Sequence, residues 1–115
     1  MTNKPNTPPM ITAQALEQMA AHVDDAANLL KALANPHRLQ ILCVLGTGEM
    51  AVGELNEIVT LSQSALSQHL AKLRGDGLVE TRRESQTIYY RLNPGPARDI
   101  IEILHRHFCG ADEKD

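Results

Sequence analysis

The sequence predicts a mainly α-helical domain that carries one small β-hairpin. Three observations lead there. Hydrophobic residues make up 43% of the 115 residues but aromatic residues only 3%, so the core must be Leu, Ile, Val and Ala, the material of packed helices. Apolar residues recur at three- and four-residue steps along several stretches, the signature of amphipathic helices. Two β-prone runs, Leu78–Arg83 and Ile88–Leu92, sit either side of a short polar loop. A chain of this length is one domain's worth. We read residues 1–11, with Pro5, Pro8 and Pro9, as a flexible N-terminal tail. Residues 12–110 form the domain, and the charged residues 111–115 a second flexible tail.

The elements follow in order. Thr12 is a suitable N-cap for a long first helix. Leu16, Ala20, Val23, Ala27 and Leu30 make its single apolar stripe, with Glu17, Asp24 and Lys31 off it. Asn35-Pro36 ends that helix and opens another, because Asn caps and Pro fits the first helical position. The run from Leu39 to Leu45 is apolar almost all round, as in a helix buried at the centre of a domain, and Gly46-Thr47-Gly48 stops it. Val52, Leu55, Ile58 and Val59 give one face of a short helix. Thr60-Leu61-Ser62 is a tight connection, with Ser62 as the next N-cap, and Gly75 and Gly77 close the helix that follows. Two short helices joined in this way make a helix-turn-helix.

The second of these helices divides by angle. At 100° per residue from Ser64, Leu66, Leu70 and Leu73 fall at about 180–240° and form a buried stripe. Ser64, Ser67, Gln68 and Ala71 fall on the opposite side. That face is small, polar and almost uncharged, whereas an ordinary solvated face is rich in Lys and Glu. Short hydroxyls and amides suit close approach to a major groove, where Gln can bond adenine bidentately and Ser can reach a phosphate or a base edge. Gln63, Ser64, Ser67 and Gln68 are therefore candidate groove contacts.

In the hairpin, Ile88, Tyr90 and Leu92 alternate inward and Tyr89 and Arg91 outward. The loop Glu84-Ser85-Gln86-Thr87 contains no Gly, so it lacks the usual tight-turn signal and a looser loop is expected. Arg82 and Arg83 flank its tip, placed for a minor groove or a phosphate track. Asn93-Pro94-Gly95-Pro96 breaks the strand and opens a last helix striped by Ala97, Ile100, Ile101, Leu104 and Phe108. Two terminal helices with one apolar stripe each imply a homodimer joined through the first and last helices.

Net charge is −3 overall, which does not announce a nucleic-acid binder, but it is unevenly placed. Residues 1–61 carry −3, residues 62–92 carry +2 and residues 93–115 carry −2. The basic stretch holds Lys72, Arg82 and Arg83, candidate phosphate contacts. No apolar run is long enough for a membrane span, and the N-terminal residues show no apolar secretory core, so a cytoplasmic protein without membrane contact is expected. Cys43 and Cys109 match no CxxC or paired-CxxC spacing. That argues against a thiol oxidoreductase and leaves two readings, small buried hydrophobes or a redox-sensing pair. No cofactor is called for.

The element order, helix, helix, helix-turn-helix, hairpin, helix, is a winged-helix layout. Leu33–Leu42, Val52–Leu55, Leu61–Leu70, Leu73-Arg74 and Gly77–Val79 resemble the ArsR/SmtB family of bacterial winged-helix repressors, over roughly residues 20–110. The resemblance implies a homodimer on an inverted-repeat operator in double-stranded DNA, with the Gln63–Arg74 helix in the major groove and an inducer that ends binding. The family's cysteine-rich metal site is absent, since Glu54, Leu55 and Asn56 stand there. Its last-helix metal pattern also fails, since Ile100 and Ile101 follow Asp99. A metal-sensing alternative rests on His105 and Cys109, which share a helix face while His107 points away.

The surroundings of Cys43 and Cys109 are similar to the sulfide- and redox-responsive branch of that family. This implies that a persulfide, or another thiol oxidant, bridges Cys43 and Cys109 and that DNA is then released. Members of that branch also include activators that displace another DNA-bound protein. His105 and Arg106 beside Cys109 make it the expected first thiol to react.

Overall fold

Thr12 caps the first helix by accepting a hydrogen bond from the Ala15 N–H at its Oγ1, 3.0 Å away. The computed structural model describes residues 12–109, so the two terminal tails, and Gly110, lie outside the described residues. The chain divides into two compact units, Met1–Leu30 and Lys31–Asp115. The first is the greater part of helix α1 (Ala13–Leu33). Its stripe residues Leu16, Val23 and Leu30, with Met19, are each more than half exposed in the single chain.

The second unit holds α2 (Pro36–Leu45), β1 (Met50–Ala51), α3 (Val52–Ile58), α4 (Gln63–Gly75), β2 (Val79–Glu84), β3 (Thr87–Leu92) and α5 (Pro96–Phe108). This is mainly α with a small antiparallel sheet, in the winged helix-turn-helix order. Asn35 caps α2 as anticipated, its side chain accepting from the His37 and Arg38 N–H groups at 2.9 and 3.1 Å. Ile41 and Leu42 of α2 are fully buried and meet Leu55, Val59, Leu66, Leu70, Leu73 and Val79 in one aliphatic core. Burial of each such side chain stabilises by about 1.5–3 kcal/mol. The three leucines placed on the inner stripe of α4 are all within this core.

Gly77 closes α4 at φ 77, in the left-handed region that suits glycine. Asn93 then ties the end of β3 to this turn, donating from its side chain to the Gly77 carbonyl at 2.7 Å and from its backbone to Leu78 at 3.0 Å.

Three departures from the sequence reading concern the sheet, the wing loop and α3. The sheet has three strands, ordered β1-β3-β2, because Met50 and Ala51 pair with Tyr90 and Tyr89. A two-residue strand is too short to show a period-two pattern. The wing loop is tight, with Glu84 opposite Thr87 and only Ser85 and Gln86 between them. Ser85 supplies the positive φ, 57°, that was sought in a glycine. Ile58, assigned to the apolar face of α3, is 49% exposed, since α3 ends there and the chain turns at an extended Val59 that is buried instead.

Candidate nucleic-acid interface and thiol pair

The turn between α3 and α4 is fixed from both ends. The Asn56 side chain donates to the Leu61 carbonyl at 2.9 Å, and the Ser62 hydroxyl accepts from the Ala65 N–H at 3.2 Å. These bonds set the direction in which α4 leaves the turn. Gln63, Ser64, Ser67 and Gln68 all stand exposed, and Leu66, Leu70 and Leu73 are buried behind them. Ser64 lies 3.4 Å from the Ser62 hydroxyl. The face is narrow, polar and free of bulky charge, which lets a helix approach base edges closely. Lys72 continues this surface and pairs loosely with Asp76 at 3.6 Å.

One residue on the flank of α4 was not singled out from sequence. His69 is half-buried, with its ring centroid 5.8 Å from that of His37 on α2. Burial, then the charge of Arg38, then His37 hold its pKa below the ordinary histidine value. A single histidine on a helix carries no sequence signal of such a neighbour.

The two wing arginines part company. Arg82 is clasped by Glu49, whose carboxylate accepts from Nε at 2.9 and 3.0 Å and from Nη2 at 2.8 Å. Glu84 accepts from its Nη1 at 3.1 Å, and the guanidinium lies 4.6 Å over the Tyr89 ring. Hydrogen bonding to Glu49 and then Glu84 raises the Arg82 pKa further, and the same contact lowers that of Glu49. Arg82 is thus committed within the wing, and Tyr89, read as outward, is half-buried beneath it. Arg83 is exposed and has no ion-pair partner among the described residues. Arg91 pairs with Glu80.

The thiols belong to α2 and to the end of α5. Cys43 is half-buried on α2, which packs against α5. It lines a cavity of about 410 Å³ whose far wall is α5, through Arg98, Ile101, Glu102, His105 and Arg106. Gly46 caps α2 beside this cavity, and a Cβ there would crowd the helix's own Cys43 carbonyl at 3.1 Å while meeting Ile101 of α5 at an ordinary 3.5 Å. Cys109 is exposed and caps the end of α5, its N–H donating to the His105 carbonyl at 2.8 Å. Burial pushes the Cys43 thiol up, and the nearby Cys109 adds to the shift because two thiolates repel. Both thiols are free. Among the described residues no group of three or more His, Cys, Asp and Glu side chains is placed to hold a metal ion, and the contact recorded between Cys109 and His105 is the backbone hydrogen bond.

A polar helix set on a capped turn, a basic-tipped hairpin and a thiol on the central helix form a recognisable set. The sequence profile of bacterial regulatory proteins of the arsR family matches residues 35–81. Transcriptional activator HlyU of Vibrio cholerae is 53% identical over 98 residues, covering 85% of this chain and 91% of that protein. The chain belongs to the ArsR family. It is also 40% identical over 109 residues to the biofilm growth-associated repressor of Xylella fastidiosa, covering 95% of this chain and 93% of that one. Reduced HlyU from Vibrio cholerae superposes with a TM-score of 0.76 at 54% identity, over 81% of this chain and 98% of that chain. This ArsR-family chain is therefore a DNA-binding transcriptional regulator rather than an enzyme. No helix among the described residues is long and apolar enough to cross a membrane.

Proposed function

We propose that this chain is a dithiol sensor of reactive sulfur that represses transcription. As a reduced homodimer it holds an inverted-repeat operator, and it lets go when Cys43 and Cys109 are bridged by a disulfide or polysulfide. The observation that carries the reading is the thiol pair. Cys43 faces α5 across a cavity, and Cys109 stands exposed at the end of that same helix. Each thiol can take the outer sulfur of a persulfide RSSH, forming Cys-SSH and releasing RSH. Two such groups condense to a trisulfide with loss of H₂S. Cys109 is the exposed thiol and burial opposes the ionisation of Cys43, so the first transfer falls to Cys109. The bridge ties the core helix α2, on which the α4 leucines pack, to α5.

Support for the homodimer comes from apolar side chains left exposed on α1 (Leu16, Met19, Val23, Leu30) and on α5 (Ile103, Phe108). Gln63, Ser64, Ser67 and Gln68 would enter the groove, with Lys72 and Arg83 on phosphates. Arg82 would reach a phosphate only by leaving Glu49. A bias of a few kcal/mol between two dimer geometries changes occupancy ten- to hundredfold or more. A second reading, activation by displacing another DNA-bound protein, is favoured by the 53% identity to a protein named as an activator. Both readings share the reduced, DNA-bound state.

The test combines gel shift and mass spectrometry. Persulfide treatment should add the mass of a sulfur bridge and release operator DNA. Cys43→Ser should bind operator normally and ignore persulfide. Loss of binding in the untreated variant would make Cys43 a structural residue, and release of DNA from it by persulfide would end the dithiol reading.

A further inference from the structure

The cavity beside Cys43 carries more cationic chemistry than a simple packing gap needs. Arg98 and Arg106 line it on the α5 side, against one acid, Glu102. Neither Arg98 nor Arg106 has an ion-pair partner among the described residues, although the acids elsewhere in the second unit clasp Arg82, Arg91 and Lys72. A second cavity, of about 510 Å³, shares Gly46, Thr47, Leu92 and Arg98 with the first, so Arg98 stands where the two meet. The volumes lie within the range of small-molecule sites, about 300–1,000 Å³. Guanidinium groups recognise carboxylates through paired hydrogen bonds.

We infer that this cavity is the docking site for a low-molecular-weight persulfide bearing a carboxylate, with Arg98 and Arg106 holding the carboxylate and the sulfane sulfur presented to Cys43. The inference rests on the dithiol-sensor reading and names its substrate class. The step balances. The Cys43 sulfur bonds the outer sulfur of RSSH, the S–S bond of the persulfide breaks, and the thiolate that leaves takes up the Cys43 proton as RSH. The cavity thus serves the half-buried thiol, which solvent reagents reach poorly, while Cys109 reacts in the open.

The experiment follows sulfur transfer to full-length reduced protein by mass spectrometry, with N-acetylcysteine persulfide as the anionic probe and cysteamine persulfide as the cationic one. Each rate is divided by that reagent's rate with a small reference thiol. Cys109→Ser isolates transfer to Cys43. The anionic reagent should be favoured about tenfold at low ionic strength, a preference that added salt erodes. The exposed pair Arg98→Gln and Arg106→Gln should bring the ratio to about one while operator binding by the reduced protein stays intact. Equal rates for the two reagents in the parent, or a preference that survives the double substitution, overturn the docking site and leave the dithiol reading standing. No transfer from either reagent to either thiol of the parent protein overturns both.

Discussion

Helix α4 and the β2–β3 wing both present polar side chains outward, yet those side chains are in different states. On α4, Ser67 and Gln68 are exposed and make no side-chain hydrogen bond among the described residues. In the wing, Arg82 is held by two carboxylates and an aromatic face, and Arg91 by Glu80. Charge counted along a chain is therefore not charge available to a ligand. The stretch 62–92 is net basic in sequence, but Lys72, Arg82 and Arg91 each meet an acid, and Glu49 comes from outside the stretch. Arg74 and Arg83 are its cations without such a partner among the described residues. On the proposed function, sequence reading would come from the uncommitted helix, and electrostatic attraction from fewer groups than the composition promises.

The sharpest way to break this contrast is Gln68→Ala. If α4 reads bases, the substitution should weaken binding to the cognate operator by about 1–3 kcal/mol and barely change binding to random DNA of equal length. Titrations on both DNAs at one salt concentration measure it. An equal loss on the two would reduce α4 to a backbone contact and erase the difference between helix and wing.

Within the wing, the arginines should separate in salt dependence. Arg83→Ala should lower the slope of log K against log salt by about one unit per contacting protomer. Arg82→Ala should change it less, because the parent Arg82 is already neutralised by Glu49 and Glu84. Glu49→Gln should move in the opposite direction, steepening the slope as Arg82 is released. The clasp persists through the neutral range. The Glu49 pKa is lowered in the folded chain, so its contribution to stability is complete above the ordinary glutamate range and fades as pH falls through the lowered value. Equal slopes for the two alanine variants at neutral pH would show that the clasp opens on DNA.

How much of this was legible depends on whether a signal is local. The Asn35 and Ser62 caps, the buried Leu66, Leu70 and Leu73 and the order of the elements all arise from neighbours within one helical turn or from periodicity, and each could be read from the chain. So could the exposure of Gln63, Ser64, Ser67 and Gln68. The Arg82–Glu49 clasp joins residues 33 positions apart, and the two-residue β1 holds no pattern of its own. The cavity between α2 and α5 is lined by residues more than fifty positions apart, and His69 acquires its character from burial and from Arg38 and His37 on another helix. None of these has a local signature. The two thiols were legible as residues, but the cavity that Cys43 shares with α5 required the fold.

The smallest expected effect concerns the wing tip, and it separates stability from DNA contact. Ser85 occupies the left-handed region at φ 57 in a two-residue turn. A side chain there costs about 1–2 kcal/mol, which glycine avoids. Glycine also loosens the unfolded chain, which offsets roughly half of that gain. Ser85→Gly should therefore stabilise the fold by up to about 1 kcal/mol, seen as a higher urea midpoint with an unchanged m-value. Because the substitution removes no charge, the salt slope should stay that of the parent protein. A lower midpoint would mean that the turn does not hold Ser85 as described. A raised midpoint together with weaker operator binding would mean that the Ser85 hydroxyl itself touches DNA, and the wing would then join α4 as a reading element instead of standing apart from it.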